Sequence, residues 1–334
     1  MALTVDFDIF LAGGRVPDRE PDSTLRDLVD YTKAAEEAGF DTAWVAEHHF
    51  IDYGLNPSAV TLASHLLAAT QRIAVGTAVA MLGQRHPVEV GEETALLEAL
   101  APGRFRLGVG RGGPWVDLEV FNSSLERMER GFEESLTLLR EWLTSSGDVW
   151  ASGEFFQFRP VAPVPAAPYK PGDPNLFWVA AMSEGTARLA GRLGVPLLLG
   201  MQGTPQDHAL LIDVWRHEAD AAGHDAEAAQ HAAAVFAQVL DRPGDREELR
   251  RRMTGLLRTT EQYQSLLSRK PRDYAAYVDF LFDTHAVGAP DEVVQKLYAA
   301  ADVSGVSRQI LFVEGMRRPE AVRDNIAAIG RTLG

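Results

Sequence analysis

Three short segments carry side chains that could do chemistry, and each follows a stretch predicted to be a β-strand. The first is Glu47-His48-His49, after the strand at 42–46. Adjacent strand residues point to opposite sides, so the two histidines cannot easily chelate one metal ion. One imidazole facing a ligand could transfer a proton. A hydrogen-bonded histidine beside a packing histidine is the alternative interpretation.

The second segment is Gly108-Val-Gly-Arg-Gly-Gly113, which reads as G-x-G-x-x-G around a single cation, Arg111. A dinucleotide-binding motif requires a helix that opens inside it and an acidic residue about 20 positions later. Pro114 and Trp115 follow instead. The pattern favours a tight turn whose amides and guanidinium could hold a phosphate. A glycine-rich turn with a surface arginine is the alternative.

The third segment is Ser183-Glu-Gly-Thr186, between a predicted strand and a predicted helix. Ser183 is expected to be the N-cap of that helix. Hydroxyl groups and free amides at a helix N-terminus also suit a phosphate. A plain helix cap explains the same residues without any ligand.

Strand-like and helical stretches alternate along the whole chain, which positions these segments. The eight predicted strands are 3–10, 42–46, 73–81, 104–109, 176–180, 195–199, 232–240 and 309–313. Eight β/α units predict one α/β domain over residues 1–334, a (β/α)8 TIM barrel, with chemistry at the carboxyl ends of the strands. A doubly wound open sheet is the alternative. Thr24 and Asp27 predict a capping box for the first helix.

Two segments depart from this alternation. Residues 144–175 contain six prolines, which predict an irregular insertion with a short hairpin around 155–158. Residues 242–285 are polar, rich in arginine and helical in pattern. In a barrel such a segment could be a solvated helix face or a mobile lid, and we take it as the lid candidate.

Composition excludes several classes of protein. The chain of 334 residues has no cysteine, which excludes a disulfide scaffold, a Cys-ligated metal and a cysteine nucleophile. Its net charge of -15 gives no general attraction to nucleic acid or anionic membrane. No signal peptide or membrane-spanning run is found. We expect a cytoplasmic enzyme without a metal site.

The stretch 36–121 resembles the bacterial luciferase family of flavin-dependent monooxygenases. The matching segments are EEAGFDTAWVAEHHFIDYG, NPSAVTLASHLLAATQRIAVGTAV and HPVEVGEETALLEALAPGRFRLGVGRGG, followed by Asp117 and Phe121. The resemblance implies a barrel, usually dimeric, that binds reduced FMN (FMNH2) supplied by a separate NAD(P)H:flavin reductase. It further implies reaction with O2 through a flavin peroxide, and insertion of one oxygen atom into a carbonyl-containing or other organic metabolite.

The resemblance also implies roles for individual residues. His48 matches the catalytic histidine, and Asp117 matches an acid near it. Ala78 and Val79 fall where the family has a non-prolyl cis peptide against the flavin ring. The positions that hold the flavin phosphate match Arg111, Ser183 and Thr186.

Two departures and three alternatives bear on the activity. Gly110 stands where the luciferase alpha subunit has a reactive cysteine, and Met182 stands where it has a glutamate, so light emission is not expected.

A deazaflavin-dependent oxidoreductase would transfer hydride and would require basic residues near the polyanionic tail of its cofactor. A non-catalytic flavin-binding partner subunit is opposed by the retention of His48, Arg111 and Asp117. A metal-dependent barrel hydrolase is the third alternative.

Overall fold

A computed structural model describes residues 4–113, 115–261 and 273–333 of the chain. The strands in the described residues are β1 (Asp6–Leu11), β2 (Thr42–Val45), β3 (Ala74–Thr77), β4 (Ala80–Met81), β5 (Phe105–Arg106), β6 (Gly108–Gly110), β7 (Val149–Ser152), β8 (Gln157–Val161), β9 (Trp178–Ala181), β10 (Leu197–Leu199), β11 (Ala232–Val239), β12 (Ala286–Gly288) and β13 (Arg308–Phe312). The helices there are α1 (Pro21–Glu37), α2 (Ala59–Ala69), α3 (Pro87–Leu100), α4 (Trp115–Val120), α5 (Leu125–Glu129), α6 (Phe132–Thr144), α7 (Glu184–Leu193), α8 (Pro205–Ala221), α9 (Asp245–Arg258), α10 (Tyr274–Thr284), α11 (Pro290–Ser304) and α12 (Pro319–Leu333).

All strands except β7 and β8 form one curled parallel sheet among the described residues. Its order is β4-β6-β9-β10-β11-β13-β1-β2-β3-β5, with β12 paired to β11. The predicted strand 73–81 is split into β3 and β4, and the predicted strand at 104–109 is split into β5 and β6. The terminal strands of this order are β4, which follows β3 in the chain, and β5, which precedes β6. Each end of the sheet therefore continues in the chain into the strand that neighbours the other end. The predicted α/β class and its parallel sheet are confirmed.

The interior of the sheet is filled by two tryptophans. The rings of Trp44 and Trp178 meet edge to face at 5.5 Å between centroids. Trp44 pairs in register with Gly76 on the next strand. A Cβ on Gly76 would lie 2.5 Å from the Trp44 ring, so that position has no room for a side chain. Trp44 Nε1 donates to Asp8 at 2.7 Å, which satisfies the buried indole.

The first helix begins earlier than the sequence predicts. Pro21 is its first residue and Glu20 its N-cap. The hydroxyl of Thr24 instead accepts a hydrogen bond from the amide of Val16 at 3.4 Å, and Asp27 pairs with Arg19. The predicted capping box of Thr24 and Asp27 is therefore wrong, because proline at the first position already starts the helix.

The proline-rich segment contains a small antiparallel sheet. Strands β7 and β8 pair with each other and with no strand of the main sheet among the described residues. The Glu134 carboxylate accepts hydrogen bonds from the amides of Phe155 and Phe156 at 3.1 and 2.9 Å. This contact ties the turn between the two strands to α6.

The lid candidate is only partly described, because its residues 262–272 lie outside the described residues. The helices on either side, α9 and α10, pack against the carboxyl ends of the strands. Their buried apolar side chains are Leu249, Met253, Leu256, Leu257, Val278, Leu281 and Phe282. Exposing each would cost roughly 1.5–3 kcal/mol. These two helices therefore bury an apolar face against the ends of the strands, and the lid at 242–285 stays a prediction.

Within the described ranges, no helix is both long and apolar enough to cross a lipid bilayer.

Candidate active site

A cavity of about 540 Å³ opens at the carboxyl ends of the parallel strands. This volume falls in the range typical of small-molecule and cofactor sites. Nine site residues are predicted from the sequence, and only Asp117 does not line the cavity. The other eight are His48, Ala78, Val79, Gly110, Arg111, Met182, Ser183 and Thr186. They come from four different strand ends, so only the curled sheet brings them together.

One side of the cavity combines a guanidinium group with two hydroxyl groups. Arg111 Nη2 donates to Thr186 Oγ1 at 3.0 Å, and that oxygen lies 3.3 Å from Ser183 Oγ. Ser183 is the N-cap of α7, as predicted, and the guanidinium lies 5.3 Å from the centroid of the Phe132 ring. Arg111 Nε is buried without a partner among the described residues. A guanidinium, two hydroxyls and the amides of a first helical turn suit a phosphate. We name Arg111, Ser183 and Thr186 the phosphate cradle.

A flat apolar wall continues from the phosphate cradle. The peptide bond between Ala78 and Val79 is cis, as the resemblance implied. A Cβ on Gly110 would lie 2.7 Å from Val79 Cγ2, so no side chain fits there unless Val79 moves. Leu198 and Ile310 are further apolar side chains that line the cavity. Small side chains and exposed backbone on this wall suit a planar ring system.

His48 lies at another side of the cavity. Its ring meets Tyr53 edge to face at 5.0 Å between centroids. A Cβ on Gly54 would lie 2.3 Å from His48 Nδ1, and this buried nitrogen has no hydrogen-bond partner among the described residues. Nε2 is therefore the ring nitrogen left for a ligand. Burial lowers the pKa of His48 to about 4, so the imidazole is neutral at pH 7.

His48 also borders a second and more open cavity of about 890 Å³. Apolar side chains of Ile51, Leu55 and Pro57 line it, and Arg258 lies at its edge. Of all the described residues, His48 alone lines both cavities. A neutral imidazole between two spaces can transfer a proton between the ligands that occupy them.

Asp117 is placed apart from the other predicted residues. It is 1 % exposed, and both of its carboxylate oxygens lack a hydrogen-bond partner among the described residues. Burial raises its pKa to about 6, while nearby His49 lowers it and Glu47 raises it. His49 Nε2 in turn contacts Gln84 Nε2 at 3.1 Å. Asp117 thus faces the histidine that points away from the cavity, and its role stays a prediction.

One wall of the cavity was not predicted from the sequence. Gly200, Met201 and Gln202 follow β10 and line the cavity beside the strand end that carries Met182 and Ser183. Their position directly after a predicted strand was the available signal. We call residues 200–202 the β10 loop.

A shallower groove of about 360 Å³ continues from the phosphate cradle past the β10 loop. It is bordered by Ser183, Glu184, Gln202 and Asp207, and no lysine or arginine lines it among the described residues. The Glu184 carboxylate is paired with Arg188 at 3.1 Å, and that of Asp207 accepts hydrogen bonds from Thr204, so the groove carries no unpaired cationic group on its described residues. No group of three or more metal-ligating side chains is found in the described part of the chain.

Known proteins resemble this chain in sequence. The profile of a family described as "Luciferase-like monooxygenase" matches residues 5–308. The alkanal monooxygenase alpha chain of Photorhabdus luminescens is 28% identical over 322 residues, which cover 90% of this chain and 88% of that protein. The alkanal monooxygenase beta chain of Photobacterium leiognathi is 24% identical over 333 residues, with 98% and 99% covered.

Solved structures share the fold. Monooxygenase RslO1 from Streptomyces bottropensis has a TM-score of 0.81 at 21% identity, with 98% of both chains covered. The oxygenating constituent of 3,6-diketocamphane monooxygenase from Pseudomonas putida, in complex with FMN, has a TM-score of 0.75 at 16% identity, with 98% and 97% covered. An F420-dependent secondary alcohol dehydrogenase with an F420-acetone adduct has a TM-score of 0.72 at 20% identity, with 98% and 99% covered.

Proposed function

Because the chain belongs to the luciferase-like monooxygenase family and is a flavin-dependent monooxygenase, we propose that it is the oxygenase component of a two-component system. It takes FMNH2 from a separate NAD(P)H:flavin reductase and inserts one atom of O2 into a carbonyl-containing or other organic metabolite. One observation carries the proposal. A single cavity joins the neutral imidazole of His48 to the phosphate cradle across a flat apolar wall.

The residues of the cavity fit FMN. The phosphate cradle offers a positive charge, two hydroxyls and helix amides, and the buried Nε of Arg111 still lacks a partner. A planar ring fits against Ala78 and Val79, where Gly110 leaves no side chain in the way. We assign the phosphate to the cradle and the ring to this wall, with Met182 at the edge between them.

When bound, reduced flavin supplies the two electrons with which O2 is divided between the product and water. His48 Nε2 holds or accepts the proton at the reacting atoms, and the neutral imidazole can do either. The organic substrate reaches His48 from the second cavity. Helices α9 and α10 cover the carboxyl ends of the strands and limit access of water there. Asp117 is proposed to assist through the neighbouring His49.

FMN is favoured over a deazaflavin by the lining of the groove beside the cradle. The deazaflavin cofactor continues beyond its phosphate into a polyanionic tail. The groove that continues from Ser183 carries the carboxylates of Glu184 and Asp207 and, among the described residues, no cationic lining side chain. Such a surface offers the anionic tail no cationic partner. A non-catalytic partner role is opposed by His48 and Arg111 in one cavity.

We also propose how the chain is organised. Residues 1–334 form one domain, a (β/α)8 barrel closed where β3 continues into β4 beside β5 and β6. Residues 144–175 form an insertion. The lid candidate stays the whole segment 242–285. A homodimer is expected from the resemblance, and a cytoplasmic location from the composition.

Anaerobic titration with reduced FMN and, in parallel, with the reduced deazaflavin cofactor tests this function. Tryptophan fluorescence reports binding, and an oxygen pulse with candidate carbonyl substrates reports product and oxygen uptake. We expect FMNH2 to bind more tightly and product to require oxygen. Binding of the deazaflavin alone, with product formed without oxygen, would replace the proposal with hydride transfer. Leu210→Lys, which adds a cation to the groove at an exposed position of α8, should improve deazaflavin binding and leave that of FMN much less changed.

A further inference from the structure

Two buried histidines hold the β10 loop by consecutive carbonyl groups. His208 Nε2 lies 3.0 Å from the carbonyl oxygen of Gly200, and His285 Nε2 lies 2.9 Å from that of Met201. The two side chains are 5 % and 4 % exposed. They come from different elements, since His208 lies on α8 and His285 is the residue that ends α10. The same three-residue wall is therefore fixed from two directions.

The chemistry of these two contacts defines the state of both rings. A carbonyl oxygen can only accept, so each Nε2 must carry the proton and donate it. Burial lowers the pKa of both histidines, that of His285 to about 4. Both rings are therefore neutral at pH 7, with one N–H that is used in holding the loop.

The loop has little other freedom. The Met201 side chain is buried in the apolar cluster that α9 and α10 form. A Cβ on Gly200 would lie 2.4 Å from Gln202 Oε1, so the amide side chain folds directly over the glycine. Both Gly200 and Gln202 line the cavity and the acidic groove, so the loop separates these two spaces.

We propose that His208 and His285 are positioning residues that hold the β10 loop as the wall facing the flavin ring. The inference rests on the proposed function, because the flavin is the ligand that the wall would orient. Neither imidazole lines the main cavity itself, so their effect passes through the backbone of the loop. His285 also joins that wall to α10, the described end of the lid candidate. A wall displaced by about 1 Å can cost about a hundredfold in rate.

The experiment compares His285→Leu and His208→Leu with the control His217→Leu. His217 is exposed and lies on α8, the helix that also carries His208. Hydrogen exchange of the amides at 200–204 is measured first on the cofactor-free protein. We expect these amides to exchange faster than in the wild type in His285→Leu and His208→Leu. Their exchange should be unchanged in His217→Leu. The dissociation constants of FMN and riboflavin should both rise about tenfold, because each variant leaves a buried carbonyl without its donor. His285→Gln, which restores an N–H donor, should recover most of that loss.

The outcomes separate this inference from the proposed function. Wild-type protein that binds no flavin would refute the function, while the exchange measurement would still test the two histidines. Unchanged exchange and unchanged affinity for both flavins would overturn the positioning role. So would a loss confined to FMN, since that would assign the effect to the phosphate cradle. If His285→Leu fails to fold, His285→Asn keeps a polar side chain too short to reach the carbonyl and gives the same test.

Discussion

Arg111→Met should weaken FMN far more than riboflavin. Methionine keeps an apolar stem against the Phe132 ring, which lies 5.3 Å from the guanidinium carbon. It removes the charge and the donor that now reaches Thr186 Oγ1 at 3.0 Å. The change therefore acts on the phosphate cradle and spares the packing around it.

The magnitude follows from the kind of bond that is lost. A hydrogen bond to a charged group contributes about 1.5–3 kcal/mol net, and each 1.4 kcal/mol is about tenfold in affinity. We therefore expect the dissociation constant of FMN to rise about ten- to 150-fold. Riboflavin lacks the phosphate, so its affinity should change by less than about threefold. Arg111→Lys should fall between, because lysine keeps the charge without the planar fork.

The assay is titration of each protein with oxidised and reduced FMN and riboflavin, followed by tryptophan fluorescence. Arg192→Met is the matched control, since Arg192 lies on the same helix as Thr186 and pairs at the surface with Glu133. An equal loss of both flavins in Arg111→Met would refute the cradle, because the effect would not depend on the phosphate.

Three further predictions concern histidines and one glycine beside them. His48→Ala should keep FMN affinity and lose about 10²–10⁴-fold in product formation, measured by steady-state turnover with a supplied reductase. Gly54→Ala should displace the His48 ring, since the new Cβ would lie 2.3 Å from Nδ1, and should lower turnover while Gly255→Ala does not. His231 is buried with its pKa lowered to about 3, and its Nδ1 accepts from the amide of Leu197 at 3.0 Å. Its unfolded pKa of about 6.5 is higher, so stability is full above that pH and falls as pH drops toward 3. His231→Asn should flatten this fall in urea unfolding.

Each of these has an outcome that contradicts it. Unchanged turnover in His48→Ala would remove the imidazole from the mechanism. Equal turnover in Gly54→Ala and Gly255→Ala would mean that the ring tolerates the extra carbon. For His231 the comparison is variant against wild type, because buried Asp117 and Glu314 have raised pKa values and oppose the trend. An identical pH slope in both proteins would show that the histidine does not control it.

The order of elements was predictable because it depends on local pattern. Apolar runs at strand spacing and amphipathic runs at helix spacing are properties of neighbouring residues. Ser183 was correctly expected as a helix cap for the same reason. The error at Thr24 shows the limit, since a hydroxyl three residues before an acid can serve another amide once the chain is folded. The cis peptide between Ala78 and Val79 was implied only by the resemblance, and the split of the predicted strand 73–81 into two was not predicted.

The site was partly predictable. Residues that carry a charge or a hydroxyl at a strand end, such as Arg111 and Ser183, are visible in the sequence. The β10 loop was not predicted as a wall, because Gly200 and Met201 contribute backbone and packing rather than reactive side chains. The histidines that hold them lie 8 and 84 positions away in the chain.

The sequence by itself determined the α/β class, the three chemical segments and the family that they resemble, since these depend on residue types and spacing. Only the tertiary structure decided which of those residues share a cavity. It joined Arg111 to Thr186 across 75 positions and left Asp117 outside, beside His49. The physical reason is that charge, burial and hydrogen bonding act over a few ångströms in space, and only the curl of the sheet determines which strand ends come within that distance.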